Sequence, residues 1–268
     1  MIRYSNDSSF ITHHSSFDCL RYFIHLAYNG TRFCGWQRQP NDPSIQEVIE
    51  TQLSLLLREQ MEVSGCGRTD TGVHALCYYA HFETEKNFTP DDLAFRLNKI
   101  VGDDIVVEEI FPVGAEMHAR FSATHRSYEY YISSKKNPFQ LETVWQIPFL
   151  DKLDKEKMQT AARLLLEYKA FAPFCKTHSD AQTMLCDLTQ SNWEFSEDGA
   201  CFQITSNRFL RGMVRLIVGM CINVGSGQMT IEEVRTALET QTPLKKSYSV
   251  PSTGLFLSDV RYADIHNI

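Results

Sequence analysis

A chain of 268 residues is long enough for one large domain or two of ordinary size, and 43% hydrophobic residues supply a proper core. A formal net charge of −7 argues against a uniformly basic nucleic-acid-binding protein, and no run of some eighteen apolar residues offers a membrane span. The eight cysteines include no C-x-x-C pair, which removes zinc-ribbon and thioredoxin-like chemistry and leaves free thiols in a reduced, cytoplasmic setting as the expectation.

Residues 1–18, MIRYSNDSSFITHHSSFD, lack the basic-then-apolar layout of a secretory signal and read as a disordered polar extension. LRYFIHLAYNG (20–30) alternates as a strand and ends in an Asn-Gly turn signal. PSIQEVIETQLSLLLRE opens with Pro43 and a capping box of Ser44 and Glu47, and Ile45, Val48, Ile49, Leu53, Leu56 and Leu57 follow helical spacing. A short strand is expected over 61–66, then a glycine-rich loop and a second strand from Ala75 to Glu83. TPDDLAFRLNKI reads as a helix capped by Thr89 with Pro90 at its first position, and DIVVEEIFPV as a strand. The order strand, helix, strand, strand, helix, strand is that of a ferredoxin-like split β-α-β unit.

From SYEYYISS the pattern recurs: a strand, helix 154–168, strands near 184–195 and 200–206, helices 210–224 and 230–240, and TGLFLSDVRYA as a closing strand. The fold class expected is therefore α+β. Two ferredoxin-like halves, 19–115 and 116–268, would share a mixed, mostly antiparallel sheet with a central cleft between them. Strand order does not follow from periodicity.

Charge is segregated along the chain. QITSNRFLRGMVRLI (203–217) holds three arginines and no acid, and 120–136 holds four basic residues against Glu129 alone, whereas acid gathers in TPDD, GDDIVVEE and TIEEV. Such basic stretches are where a polyanion docks.

Three clusters carry candidate chemistry. CGRTDTGVHA (66–75) sets Arg68, Asp70 and His74 in a glycine-rich loop between two strands, the kind of place where a rigid sheet presents working residues. Asp70 is either a turn-forming carboxylate or a substrate-directed one, and a lone His74 reads as a satisfied structural histidine. HARFSATHRSYEYYI (118–132) puts Tyr128 and Tyr130 on one strand face; they either pack or, near Arg120 and Arg126, stack on a nucleobase. NRFLRGMVRLIVGMCINVG (207–225) places Arg211 and Arg215 four apart on an apolar helix. An arginine there must snorkel or pair, and Asp70 is the candidate partner. Gly212 and Gly219 inside the helix suggest close approach of another backbone. Phosphate-loop, dinucleotide, nucleophile-elbow and zinc-hydrolase motifs are absent from the sequence.

These clusters occur together and in order. YNGTRFCGWQRQP with SIQEVIE, GRTDTGVHA, HARFSATHRSYEYYI, NRFLRGMVRLIVG and PSTGLFL resemble the tRNA pseudouridine synthase A family over roughly residues 20–262. The resemblance implies isomerisation of uridine to pseudouridine at positions 38, 39 and 40 of the tRNA anticodon arm, with the target base flipped out. It implies Asp70 as nucleophile, Arg215 as its ion-pair partner and Tyr128 stacked on the uracil. Arg68 would hold the base out of the helix, and Arg126, Arg208 and Arg211 would bind phosphates. It also implies a homodimer, a tRNA partner, and no cofactor, metal or membrane. The sequence departs from the family pattern at Thr71, at Arg211–Gly212 and at Cys186. Two other readings stay open: a non-catalytic RNA-binding protein on the same scaffold, and a pseudouridine synthase with another RNA target.

Overall fold

The computed structural model describes residues 20–176 and 182–263, so the extension expected over 1–18 lies outside the described residues. The first part of the chain runs β1 (Leu20–Tyr28), α1 (Ile45–Leu57), β2 (Ser64–Gly65), β3 (His74–Thr84), α2 (Pro90–Asn98) and β4 (Ile105–Val113). The second runs β5 (Ala123–Ser133), β6 (Trp145–Gln146), α3 (Lys155–Leu164), β7 (Leu188–Phe195), β8 (Gly199–Ser206), α4 (Met213–Gly225), α5 (Ile231–Thr240) and β9 (Leu255–Tyr262).

Among the described residues, nine strands join one open mixed sheet in the order β4-β1-β3-β9-β5-β8-β7, with β2 on β3 and β6 on β5. The closing strand β9 thus lies in the middle. It pairs antiparallel with β5 along its length and parallel with β3 at His74↔Phe256 and Ala75↔Leu257. Because β1 occupies one edge of β3 from Ala75 to Thr84, the tiny β2 and the strand β9 divide the other edge between them.

Helices arise where the sequence signals them, with local differences. Ser44 caps α1 by accepting the Glu47 N–H at 3.3 Å, while the Glu47 carboxylate turns to Arg38 at 3.6 Å. Pro90 opens α2, but the Thr89 side chain makes no capping bond. The strand expected over 61–66 shrinks to Ser64–Gly65 because α1 side chains claim its backbone: Ser54 Oγ accepts Met61 N–H, Glu50 Oε1 accepts Val63 N–H, and Gln46 Nε2 donates to Val63 O. Helix 154–168 ends at Leu164 and tightens into a 3-10 turn over Leu165–Glu167.

The larger correction concerns the helix expected over 210–224. It starts at Met213, because Gly212 takes a left-handed conformation at φ 70° as its N-cap. Arg211 therefore precedes the helix, and the shared face with Arg215 does not form. Within α4 every residue except Arg215 is buried, as an all-round apolar helix requires. Gly219 is obligatory there, since a Cβ would sit 1.8 Å from the Tyr248 carbonyl oxygen. The close backbone approach is real, and its partner is the strap 246–250, which also receives Asn223 Nδ2 at Lys246 O.

Two apolar clusters cover the sheet. One gathers β1, α1, α2 and β4 around Phe23, Ile24, Leu26, Ile49 and Leu97, and includes Leu257, Val260 and Tyr262 of β9. The other gathers α3, α4, α5 and β8 around Phe174, Phe202, Ile217 and Val234, and includes Leu255. Tyr128 packs against both. Among the described residues no helix is long and apolar enough to cross a membrane.

Candidate active site

The loop 66–73 leaves β2 and enters β3 beside the start of β9. Its backbone is pinned on several sides. Tyr28 Oη and Thr69 Oγ1 share a hydrogen bond of 2.9 Å, Trp36 N–H reaches Thr69 O at 3.4 Å, and Gly72 N–H donates to Phe33 O at 3.2 Å. Residues 70–73 close a turn through Val73 N–H to Asp70 O at 3.1 Å, with Gly72 at φ 74° in the third position. That is a type II turn, which needs glycine there, and a Cβ on Gly72 would also come 2.7 Å from Ser252 Oγ. Thr69 is consequently buried while the next side chain, Asp70, is left 35% accessible.

Opposite Asp70 stands the one α4 residue that is not buried. Arg215 Nη1 lies 3.5 Å from Asp70 Oδ2, and its Nε donates to Val250 O at 2.6 Å. The strap 246–250 that forces Gly219 thus also aims the guanidinium.

Tyr128 comes from β5, edge-on to Phe209 with ring centroids 5.1 Å apart. Burial pushes its phenol well above the usual tyrosine range; the nearby Arg126 cation draws it back and the Asp70 carboxylate raises it further. The hydroxyl is therefore protonated at neutral pH. Its face-mate Tyr130 is fully buried and donates to Pro251 O at 2.8 Å.

Arg126 spends its guanidinium on carbonyls of its own chain. Nε and Nη2 donate to Cys66 O at 3.2 and 2.7 Å, Nη2 also to Arg120 O at 2.6 Å, and Nη1 to Asn207 O at 2.9 Å. It thereby ties the start of the Asp70 loop to the 118–122 turn and to the connection between β8 and α4. Arg208 sits beside Cys186, whose thiol burial pushes up to about 11 while the Arg208 charge draws it back. Arg211 is exposed, and its carbonyl accepts Lys176 N–H at 3.0 Å. Arg68 is exposed at the rim of a cavity on the same loop. His74 is buried with both ring nitrogens engaged: Nδ1 accepts Gly30 N–H at 3.1 Å, so Nε2 carries the proton and donates to Thr253 O at 3.2 Å.

The fold thus brings Asp70, Arg215, Tyr128 and Arg126 to one place. The bracing partners Tyr28, Trp36 and Val250 escaped sequence reasoning. Tyr28 and Trp36 lie inside the quoted YNGTRFCGWQRQP and Val250 just before PSTGLFL, but nothing in those stretches marked them as braces, since their contributions are a hydroxyl, a main-chain N–H and a main-chain carbonyl.

The sequence profile of the family described as tRNA pseudouridine synthase matches residues 24–122 and 161–263. The chain belongs to the tRNA pseudouridine synthase family. It is 44% identical over 247 residues to the tRNA pseudouridine synthase A of Parabacteroides distasonis, covering 91% of this chain and 96% of that protein. It is 42% identical over 242 residues to that of Azobacteroides pseudotrichonymphae, covering 90% and 96%, and 34% identical over 237 residues to that of Acetivibrio thermocellus, covering 88% and 97%. The matched ranges hold Asp70 in the first part and Arg215 in the second, so both members of the ion pair belong to the family portion of the chain.

Proposed function

We propose that this protein isomerises uridine to pseudouridine in tRNA, at positions 38, 39 and 40 of the anticodon arm, with Asp70 as the nucleophile. The observation that carries this reading is the pair Asp70–Arg215 at 3.5 Å, a carboxylate left accessible by a type II turn and faced by a guanidinium whose other donor is fixed. A loop carboxylate needed only for its turn would have no use for a cation delivered from a buried helix.

The target base, flipped from its stack, lies on the Tyr128 ring beside Asp70. Asp70 attacks the bound uridine and the N1–C1′ bond breaks. The base turns, and a C5–C1′ bond forms, after which the C5 proton must leave. A phenol held protonated by burial accepts that proton only while giving up its own; where Asp70 has attacked C1′, the new C5–C1′ bond displaces its carboxylate, which takes the phenol's proton and passes it to N1, so that the product carries N1–H and Asp70 is ionised again. Arg68, Arg208 and Arg211 bind phosphates in this reading, a salt-sensitive and sequence-independent contribution. Arg126 enters as the brace of the Asp70 loop, because its donors are engaged by the carbonyls of Cys66, Arg120 and Asn207.

Residues 19–115 and 116–268 form two ferredoxin-like halves in this reading. The strand orders β4-β1-β3-β2 and β9-β5-β8-β7 support it, being the same permutation of strands in each half. The RNA cleft lies where they meet, and the enzyme acts as a cytoplasmic homodimer. Tritium release from tRNA labelled at uridine C5 tests the reaction. Wild-type protein releases the label; Asp70→Asn abolishes release while tRNA affinity stays within a few fold. Turnover by Asp70→Asn would remove the nucleophile assignment.

A further inference from the structure

The cavity with Arg68 at its rim borders the Asp70 loop. It measures about 230 Å³, smaller than the roughly 300–1,000 Å³ of drug-sized pockets, and is lined by Trp36, Gly65, Gly67, Arg68, Arg120 and Phe121 among others. Phe121 is 75% exposed, although phenylalanine gains most from burial. Its ring is framed by the Arg120 guanidinium 5.5 Å from the centroid and by the His118 ring at 4.4 Å.

This exposure is built rather than frayed. The 118–122 turn is closed by Ser122 N–H to His118 O at 2.9 Å and by His118 N–H to Ser122 Oγ at 3.0 Å. Ala119 at its centre is fully buried, donates to His81 Nδ1 at 3.2 Å and accepts from Tyr262 Oη at 2.6 Å. Arg126 holds the Arg120 carbonyl with the same guanidinium that holds Cys66 O. The main chain that carries Phe121 is therefore fixed relative to the Asp70 loop.

We propose that this cavity is a nucleotide subsite, in which an unpaired RNA base next to the target stacks on Phe121 and its phosphate is met by Arg120 and Arg68. The inference rests on the tRNA reading above and adds to it a second, non-reacting base position. An exposed aromatic beside a cation, on a main chain held in place, is what sequence-tolerant base stacking uses. The cavity takes Arg68 as a lining residue, so the subsite and the Asp70 loop are continuous.

The test uses Phe121→Ala and Phe121→Tyr with the full chain. It reads tRNA Kd against salt, C5 tritium release, and fluorescence of 2-aminopurine placed singly along the anticodon loop. Phe121→Ala is expected to weaken tRNA binding tenfold or more with the salt slope unchanged, because stacking releases no counterions. Phe121→Tyr is expected to restore affinity, and one 2-aminopurine position to be quenched by wild type and not by Phe121→Ala. Native-like Phe121→Ala with wild-type affinity, or no position quenched on the wild type, overturns the subsite while wild-type tritium release leaves the isomerase reading standing. Phe121-dependent binding and quenching without tritium release support the subsite and sink the isomerase reading.

Discussion

Arg215 reaches Asp70 across the join between two parts of the sheet, Nη1 to Oδ2 at 3.5 Å, while its Nε is fixed on Val250 O at 2.6 Å. Helix, strap and loop are far apart in sequence, and only their packing makes the pair. Its side chains are 17% and 35% accessible, which sets the pair between a surface salt bridge and a buried one.

Arg215→Met leaves the carboxylate without its cation and the Val250 carbonyl without its donor. The expected loss is about 1–3 kcal/mol of stability, below the 3–5 kcal/mol of a fully buried pair because Asp70 keeps water. Tritium release should fall below detection in protein that still unfolds cooperatively. Arg215→Lys should not restore it, since one ammonium cannot serve both the carbonyl and the carboxylate. Full activity in the methionine variant would show that the pair has no part in turnover.

Tyr128→Phe keeps the ring and deletes the hydroxyl. With the hydroxyl as proton relay, kcat should drop about 100-fold or more, within the usual range for general acid–base groups, while tRNA Kd stays unchanged. Single-turnover tritium release measures this directly. A loss smaller than tenfold would reduce Tyr128 to a stacking platform.

For Arg126→Lys, a brace and a phosphate ligand predict opposite splits. A lysine cannot hold Cys66, Arg120 and Asn207 carbonyls together, so the Asp70 loop shifts, kcat falls and the salt dependence of binding stays as it was. Loss of a phosphate contact would instead weaken Kd and lower the slope of log K against log salt by about 0.7–0.9.

Acid should destabilise the fold before carboxylates titrate. Burial, with the neighbouring His118 and Arg21, depresses His81 to about 4, and its Nδ1 must stay unprotonated to accept the Ala119 N–H. Burial lowers His25 and His74 in the same direction. An unfolded histidine binds protons from about 6.5 downward, while folded His81 does so only near its depressed value. Its contribution is therefore whole above pH 6.5 and is lost as pH falls toward 4. Thermal unfolding between pH 7.5 and 4.5 should show this decline, and His81→Gln should flatten it; equal slopes for both proteins would exclude His81.

The candidate site was legible in sequence to an uneven degree. Arg215 stood out as an arginine in a helix that is otherwise entirely apolar, whereas Asp70 in a turn and Tyr128 in a strand each kept an ordinary structural reading, and their roles came only with the family resemblance. The carbonyl partners of Arg126 were not legible, because a basic residue near tyrosines looks the same in sequence whether its donors meet phosphates or carbonyls. Arg211 misled through Gly212: glycine within apolar spacing reads as a helix interior, and only its positive φ shows that the helix has not begun.

By itself, the sequence determined most of the elements and their alternation, though not β6 or the bounds of β2 and α4. Hydrophobic period, caps and turn glycines are local signals, and local hydrogen bonding answers to them. The tertiary structure alone decided that β9 lies between β3 and β5, that 61–63 surrender their backbone to α1, and that Val250 aims Arg215 at Asp70. Those outcomes depend on competition for sheet edges and carbonyls between segments distant in the chain, and no residue carries the result of such a competition in its own identity.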